Sequence, residues 1–213
     1  MCAITHNLRQ HSVIRYNAQI NLRRSIVDSP DYIATALQAI RQERGWSLDR
    51  ASKATGVSKA MLGQIERGES SPTLATLWKL ATGFQISLSH LLQPTITPPG
   101  GVQLRSADRL RHRPTTDPML VAPLFPYDPA FGFELLELTL PPGYERLSAP
   151  HDAGVTEHVT LIRGQMAVKV GEDWVELHRG DALRFNADQP HGYRCCGSEP
   201  TVFHNLIHYR YTR

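Results

Sequence analysis

The stretch Ser47–Gly83, SLDRASKATGVSKAMLGQIERGESSPTLATLWKLATG, decides the fold of the front half of this 213-residue chain. Ser47 reads as a helix N-cap and Gly56 as a break with positive φ. Ser58 reads as a second cap, over a helix that ends at Gly68. Two short helices joined by a glycine turn form a helix-turn-helix. The small Ser52 is expected to let the pair cross closely, and Val57, Leu62 and Ile65 supply a buried stripe. The solvent face of the second helix then carries Ser58, Lys59, Ala60, Gly63, Gln64 and Arg67. Small residues permit close backbone approach, a long amide can read base edges, and cations can meet phosphates.

Outward from this stretch the helical period continues. Ser29 and Pro30 start a preceding helix with Ile33, Leu37 and Ile40 inward and Gly45 as its stop. Ser71 and Pro72 are expected to start a fourth helix with Leu74, Leu77, Trp78 and Ala81 inward. Ser87 starts a fifth, with Leu88, Leu91 and Leu92, before Pro94. The charge agrees with a nucleic-acid partner: residues before Thr95 hold 11 Lys and Arg against 6 Asp and Glu, whereas the remainder holds 12 against 14. The segment GVSKAMLGQIERGESSPTLATLWKLATG resembles the XRE/lambda-repressor family. That resemblance implies five helices, the third in the DNA major groove, and a dimer on the operator. Ser52 stands where the family usually has Ala.

Residues 1–28 show no sustained period and read as an N-terminal extension. Residues 29–93 form the all-α head. Residues 94–118, with five prolines, two glycines and four arginines, read as a linker. Its Arg105, Arg109, Arg111, His112 and Arg113 are expected to be hydrated rather than bound to phosphate.

From Met119 to Arg213 the period changes to two, in short runs separated by Pro, Gly and Asp, which suggests an all-β sandwich or barrel. Two glycine-marked segments stand out: Gly143, His151, Glu157 and Gly164, then Gly180 and His191. They resemble the two motifs of cupins, the double-stranded β-helix barrels. Carried over by position, His151, Glu157 and His191 match three metal ligands of the family, while Ala149 falls on the fourth. The Pro and Gly of the second motif fall on Asn186 and Asp188. Two imidazoles and a carboxylate can hold one divalent ion, Zn, Fe, Mn or Ni, with open positions; the alternative is an eroded, metal-free pocket. Alternation places Tyr193 and Cys195 beside His191 as effector-pocket residues. Arg184 and His204 are added as further pocket candidates. His158 should point away from Glu157, and Cys196 away from the cavity.

No apolar run is long enough to cross a bilayer and no secretion signal is apparent. Three cysteines exclude a disulfide scaffold. The expected protein is a cytoplasmic homodimer, not an enzyme, that binds double-stranded DNA and a small effector. The competing reading is a metal-dependent cupin enzyme, a dioxygenase or isomerase, carrying an accessory DNA-binding domain. The segments LFPYDP, PHDAGVTEHV and NLIHY, together with the helical stretch, resemble the XRE-cupin regulators of sulfur utilisation in enterobacteria. This implies control of sulfur-acquisition genes, with a sulfur-containing amino acid as the expected effector.

Overall fold

The computed structural model describes residues 30–93, 103–111 and 117–209. The N-terminal extension, His112 and Arg113 lie outside the described residues. The head is built from α1 (Pro30–Glu43), α2 (Leu48–Thr55), α3 (Lys59–Glu66), α4 (Leu74–Gly83) and α5 (Leu88–Leu92). Local chemistry sets their ends. Ser47 Oγ accepts from the Arg50 amide, Gly56 closes α2 at φ 68°, and Ser58 Oγ accepts from the Met61 amide. The cap of α4 is Thr73, which accepts from the Thr76 amide at 3.0 Å. Its hydroxyl satisfies a first-turn amide that has no partner within the helix, so α4 begins two residues beyond the start predicted at Ser71 and Pro72.

A further close helix approach lies between α2 and α4. A Cβ on Gly83 would lie 2.5 Å from Thr55 Cα and 2.6 Å from the Ala54 carbonyl. Gly83 lets α4 lie against the end of α2. Gly63 is buried and not on the solvent face of α3. Leu37, Leu62, Ile65, Leu80, Phe84 and Leu91 fill the interior, and Trp46 stacks on Phe84 at 5.1 Å. A bidentate Arg41–Glu66 pair, at 2.6 and 2.7 Å, ties α1 to the end of α3.

Within the connector the structure adds a one-turn helix, α6 (Ala107–Leu110). Arg105 and Arg111 are not simply hydrated. The first donates to Gln93 Oε1 at 2.9 Å and the second to Glu137 at 2.7 Å. Both pin the connector to the folded parts.

The back half is a barrel of two antiparallel sheets. One sheet is ordered β1 (Leu120–Asp128), β2 (Phe133–Leu140), β9 (Thr201–His208), β4 (Thr156–Arg163) and β7 (Ala182–Asn186). The other is ordered β3 (Glu145–Ser148), β8 (His191–Cys195), β5 (Met166–Val170) and β6 (Asp173–Leu177). Pro123 sits on edge strand β1 beside a register shift, where its missing N–H costs no ladder bond. Val159, Leu161, Val168, Phe203 and Ile207 fill the interior. Among the described residues no helix is long and apolar enough to cross a membrane.

Head and barrel are directly joined. Glu134, fully buried on β2, accepts from the Leu88 and Ser89 amides at 3.3 and 3.0 Å and from the Tyr209 hydroxyl. Ser89 Oγ accepts from the Tyr127 amide at 2.9 Å, and Gln85 reaches Asp152 at 3.4 Å. A buried carboxylate needs such donors, so these bonds hold the start of α5 on the barrel.

Candidate DNA face and candidate metal centre

All five residues predicted to meet DNA, Ser58, Lys59, Ala60, Gln64 and Arg67, are exposed on α3 and its flanks. Lys59 pairs with Asp49 at 2.8 Å and Arg67 with Glu69 at 2.7 Å. These pairs are more than half exposed, so neither commits its cation to the protein. Ser58 has a second task as the cap of α3, which leaves its hydroxyl proton available for donation.

In the barrel, β4 carries Glu157 inward and β8 carries His191 inward. The turn before β4 brings His151 over them. His151 Nε2 lies 3.1 Å and His191 Nε2 3.6 Å from the same oxygen, Glu157 Oε1. The three potential donor atoms are all within 4.8 Å of one another. The His191 Nδ1–H donates to the Gln189 carbonyl at 2.9 Å, which fixes the ring and turns its other nitrogen to the cluster. Glu157 Oε2 accepts from the Tyr193 hydroxyl and, at 3.0 Å, from Asn205 Nδ2.

The electrostatics follow from this enclosure. Burial by itself would raise the Glu157 carboxyl. The His151 hydrogen bond and the neighbouring imidazoles outweigh it and hold the group at about 2. For His151, burial pulls down, yet the bond to Glu157 and its charge raise the imidazole above its ordinary value. Tyr193, buried beside that carboxylate, is pushed well above the usual phenol range. The centre is therefore an anionic oxygen flanked by two nitrogens and two hydrogen-bond donors, a set whose chemistry fits a divalent ion.

Other pocket candidates are not brought to this centre. Cys195 shares the inward face, but at the far end of β8, where its Sγ meets the Glu199 carbonyl and Thr201 Oγ1, each at 3.3 Å. Arg184 is exposed, opposite His158 on the outer face of the sheet. His204 also points outward, 3.4 Å from Glu137 Oε2. Alternation fixes which residues share a face but not which face is inside, and both of these were placed on the wrong side. His158 and Cys196 are exposed, as expected. Asn205 was missed. The signal was present in TVFHNLIHY, where Phe203, Ile207 and Tyr209 make the odd positions the bulkier apolar face and carry Asn205 inward with them.

The mouth of the barrel is not open. Trp78 of α4 lies against His151, ring centroids 6.0 Å apart, and the Arg146 guanidinium sits 5.6 Å over the same indole.

A helix-turn-helix head seated on a double-sheet β-barrel is the build of a DNA-binding regulator. Residues 37–91 match the helix-turn-helix family HTH_3, and residues 136–207 match the cupin domain family Cupin_2. The chain is 47% identical over 178 residues to the HTH-type transcriptional regulator SutR of Escherichia coli K12, covering 84% of this chain and 95% of that protein. A solved HTH_3 family transcriptional regulator from Vibrio cholerae superposes with a TM-score of 0.73 at 41% identity, over 87% of this chain and 99% of the other. The regulator DdrOP3 of Deinococcus deserti is 39% identical over 57 residues, 27% of this chain and 44% of its own. The chain belongs to the family of XRE-type helix-turn-helix transcriptional regulators with a C-terminal cupin domain.

Proposed function

We propose that this regulator, working as a cytoplasmic homodimer, reads its operator through α3 and senses a small effector at the His151–Glu157–His191 centre. Lys59 and Gln64 address base edges, Ala60 allows close approach, and Ser58 and Arg67 hold phosphates. One divalent ion, Zn, Fe, Mn or Ni, would be held by His151 Nε2, Glu157 and His191 Nε2, and would offer open coordination positions to an exogenous donor. The exposed Ala149 offers no fourth ligand. The observation that carries this reading is the convergence of the three donor atoms within 4.8 Å, with the His191 ring already oriented by Gln189. The similarity to sulfur-utilisation regulators supports a sulfur-containing amino acid, such as cysteine or methionine, as the effector.

Metal analysis of natively purified protein and of His191→Ala tests the centre. The parent is expected to retain about one ion per chain and the variant to lose it while keeping its fold. A metal-free parent with an undiminished effector response would defeat the metal reading and leave a purely organic pocket.

A further inference from the structure

A narrow cleft runs between α4 and the mouth of the barrel, with Trp78, Thr82 and Gln85 on the head side and His151 and Asp152 on the barrel side. His151 is thus shared: one edge of its ring bonds Glu157 inside the barrel, and the ring forms part of the cleft wall outside. Trp78 lines the head wall, and its Nε1–H is buried without a hydrogen-bond partner among the described residues. A buried N–H left unpaired is costly, so the position favours an incoming acceptor. On the opposite wall the exposed Asp152 carboxylate meets the Gln85 amide at 3.4 Å, a weak bond that a cation can replace. Ala81, Ile86 and Val155 add apolar surface, and Tyr209 also lines the cleft.

We propose that this cleft between the domains is the seat of the effector and that it takes a compact zwitterion, an α-amino acid, with its carboxylate toward Trp78 Nε1 and its ammonium toward Asp152. The proposal rests on the regulatory reading of the barrel but not on the ion. The cleft is closed down by the Trp78–His151 contact, so a molecule seated there must part the two rings. Ligand binding and the position of α4 on the barrel are therefore coupled. Leu77 and Leu80 of the same helix are buried in the head core, so displacement of α4 moves the body that carries α3. A ligand can shift an equilibrium only by contacting its two states differently, and a group wedged between Trp78 and His151 does so directly.

Calorimetry on the full chain tests this with L-cysteine, L-methionine and L-alanine, and with cysteamine and 3-mercaptopropionate, which lack the carboxylate and the ammonium of cysteine respectively. At least one amino acid is expected to bind, and its amputated counterparts about tenfold or more weaker. Trp78→Phe keeps an aromatic ring beside His151 and removes the N–H together with part of the indole, so cysteamine serves as the control for lost packing. The variant should weaken the amino acid about tenfold and leave cysteamine unchanged, while Asp152→Asn should weaken the amino acid and spare 3-mercaptopropionate. No binding by any amino acid, or equal binding by parent and both variants, overturns the proposal. Metal content, measured on the same samples, separates the two readings. Amino-acid binding without metal would end the metal reading alone, and metal without amino-acid binding would end this proposal and the amino-acid effector while leaving the metal centre standing.

Discussion

The outer face of α3 and the centre of the barrel hold their charges in opposite ways. Lys59 and Asp49 are 58% and 65% exposed, and their contact competes with water on every side. Glu157 and His191 are each 1% exposed, and the carboxylate is bonded to His151, Tyr193 and Asn205. Exposed pairs of the first kind contribute little and exchange partners readily, which suits a surface that must trade its own carboxylates for phosphates. A buried charge has no such freedom, because every partner removed leaves an unscreened group behind. The head is therefore built to rebind and the barrel to hold.

The largest way to break this contrast is Glu157→Ala. Removing the carboxylate strands His151, His191 and Tyr193 in the interior, and the metal-stripped protein should lose roughly 3 to 5 kcal/mol in urea unfolding. The pH dependence carries the same message. A carboxylate held below its ordinary value contributes stability that is complete above the unfolded value near 4.5 and is lost as pH falls towards about 2. The metal-free protein should lose on the order of 3 kcal/mol across that window. In Glu157→Gln, which no longer titrates, that part of the curve should flatten. A parent curve already flat between those values would mean that the centre is wetter than its geometry implies.

Gly83→Ala comes next, and it probes the packing that lets the head act as one body. The added methyl would sit 2.5 to 2.6 Å from backbone atoms of Thr55 and Ala54, which cannot swing aside as a side chain could. Destabilisation of about 1 to 3 kcal/mol is expected, with the barrel transition unchanged. A neutral effect would show that α2 and α4 are free to slide.

These two positions also mark how far the sequence could be read. Caps and turns are local: Ser47, Gly56 and Ser58 each act within three or four residues, so the caps and the turn of the helix-turn-helix were legible, while the burial of Gly63 was not. That His151, Glu157 and His191 converge was legible through the resemblance to the cupin motifs. Gly83 was not, since the atoms it accommodates lie some thirty positions away, and Thr73 was overlooked because Ser71 and Pro72 supply the same start signal two residues early. Arg184 and His204 went to the wrong side for a different reason. Period-two patterning gives relative orientation, and only the bulk of Phe203 and Ile207 tells which side is inside. The seating of Trp78 on His151 joins two domains across the linker and leaves no local trace in either.

On the DNA face the expected effects are smaller and differ in kind. Gln64→Ala should cost about 1 to 3 kcal/mol on a selected operator and relax preference at one base position. Arg67→Ala should weaken all sequences alike and reduce the salt slope by about one. Binding as tight and selective as the parent's in Gln64→Ala would remove Gln64 from the reading face.

The smallest effect sharpens the comparison most. Asp49→Ala deletes the partner of Lys59 without touching the face of α3 proposed to meet DNA. Because the pair is exposed, the folded protein should lose less than about 1 kcal/mol. On the operator the sign should reverse. Lys59 must leave Asp49 to reach the groove, and an anion beside the path repels phosphate, so its removal should tighten binding slightly and most visibly at low salt, where surface charges are least screened. The same deletion in the barrel, at Glu157, should be costly at low and high salt alike. Should Asp49→Ala weaken operator binding as much as Lys59→Ala does, the pair would be positioning the lysine rather than competing for it, and α3 would be as pre-arranged as the centre of the barrel.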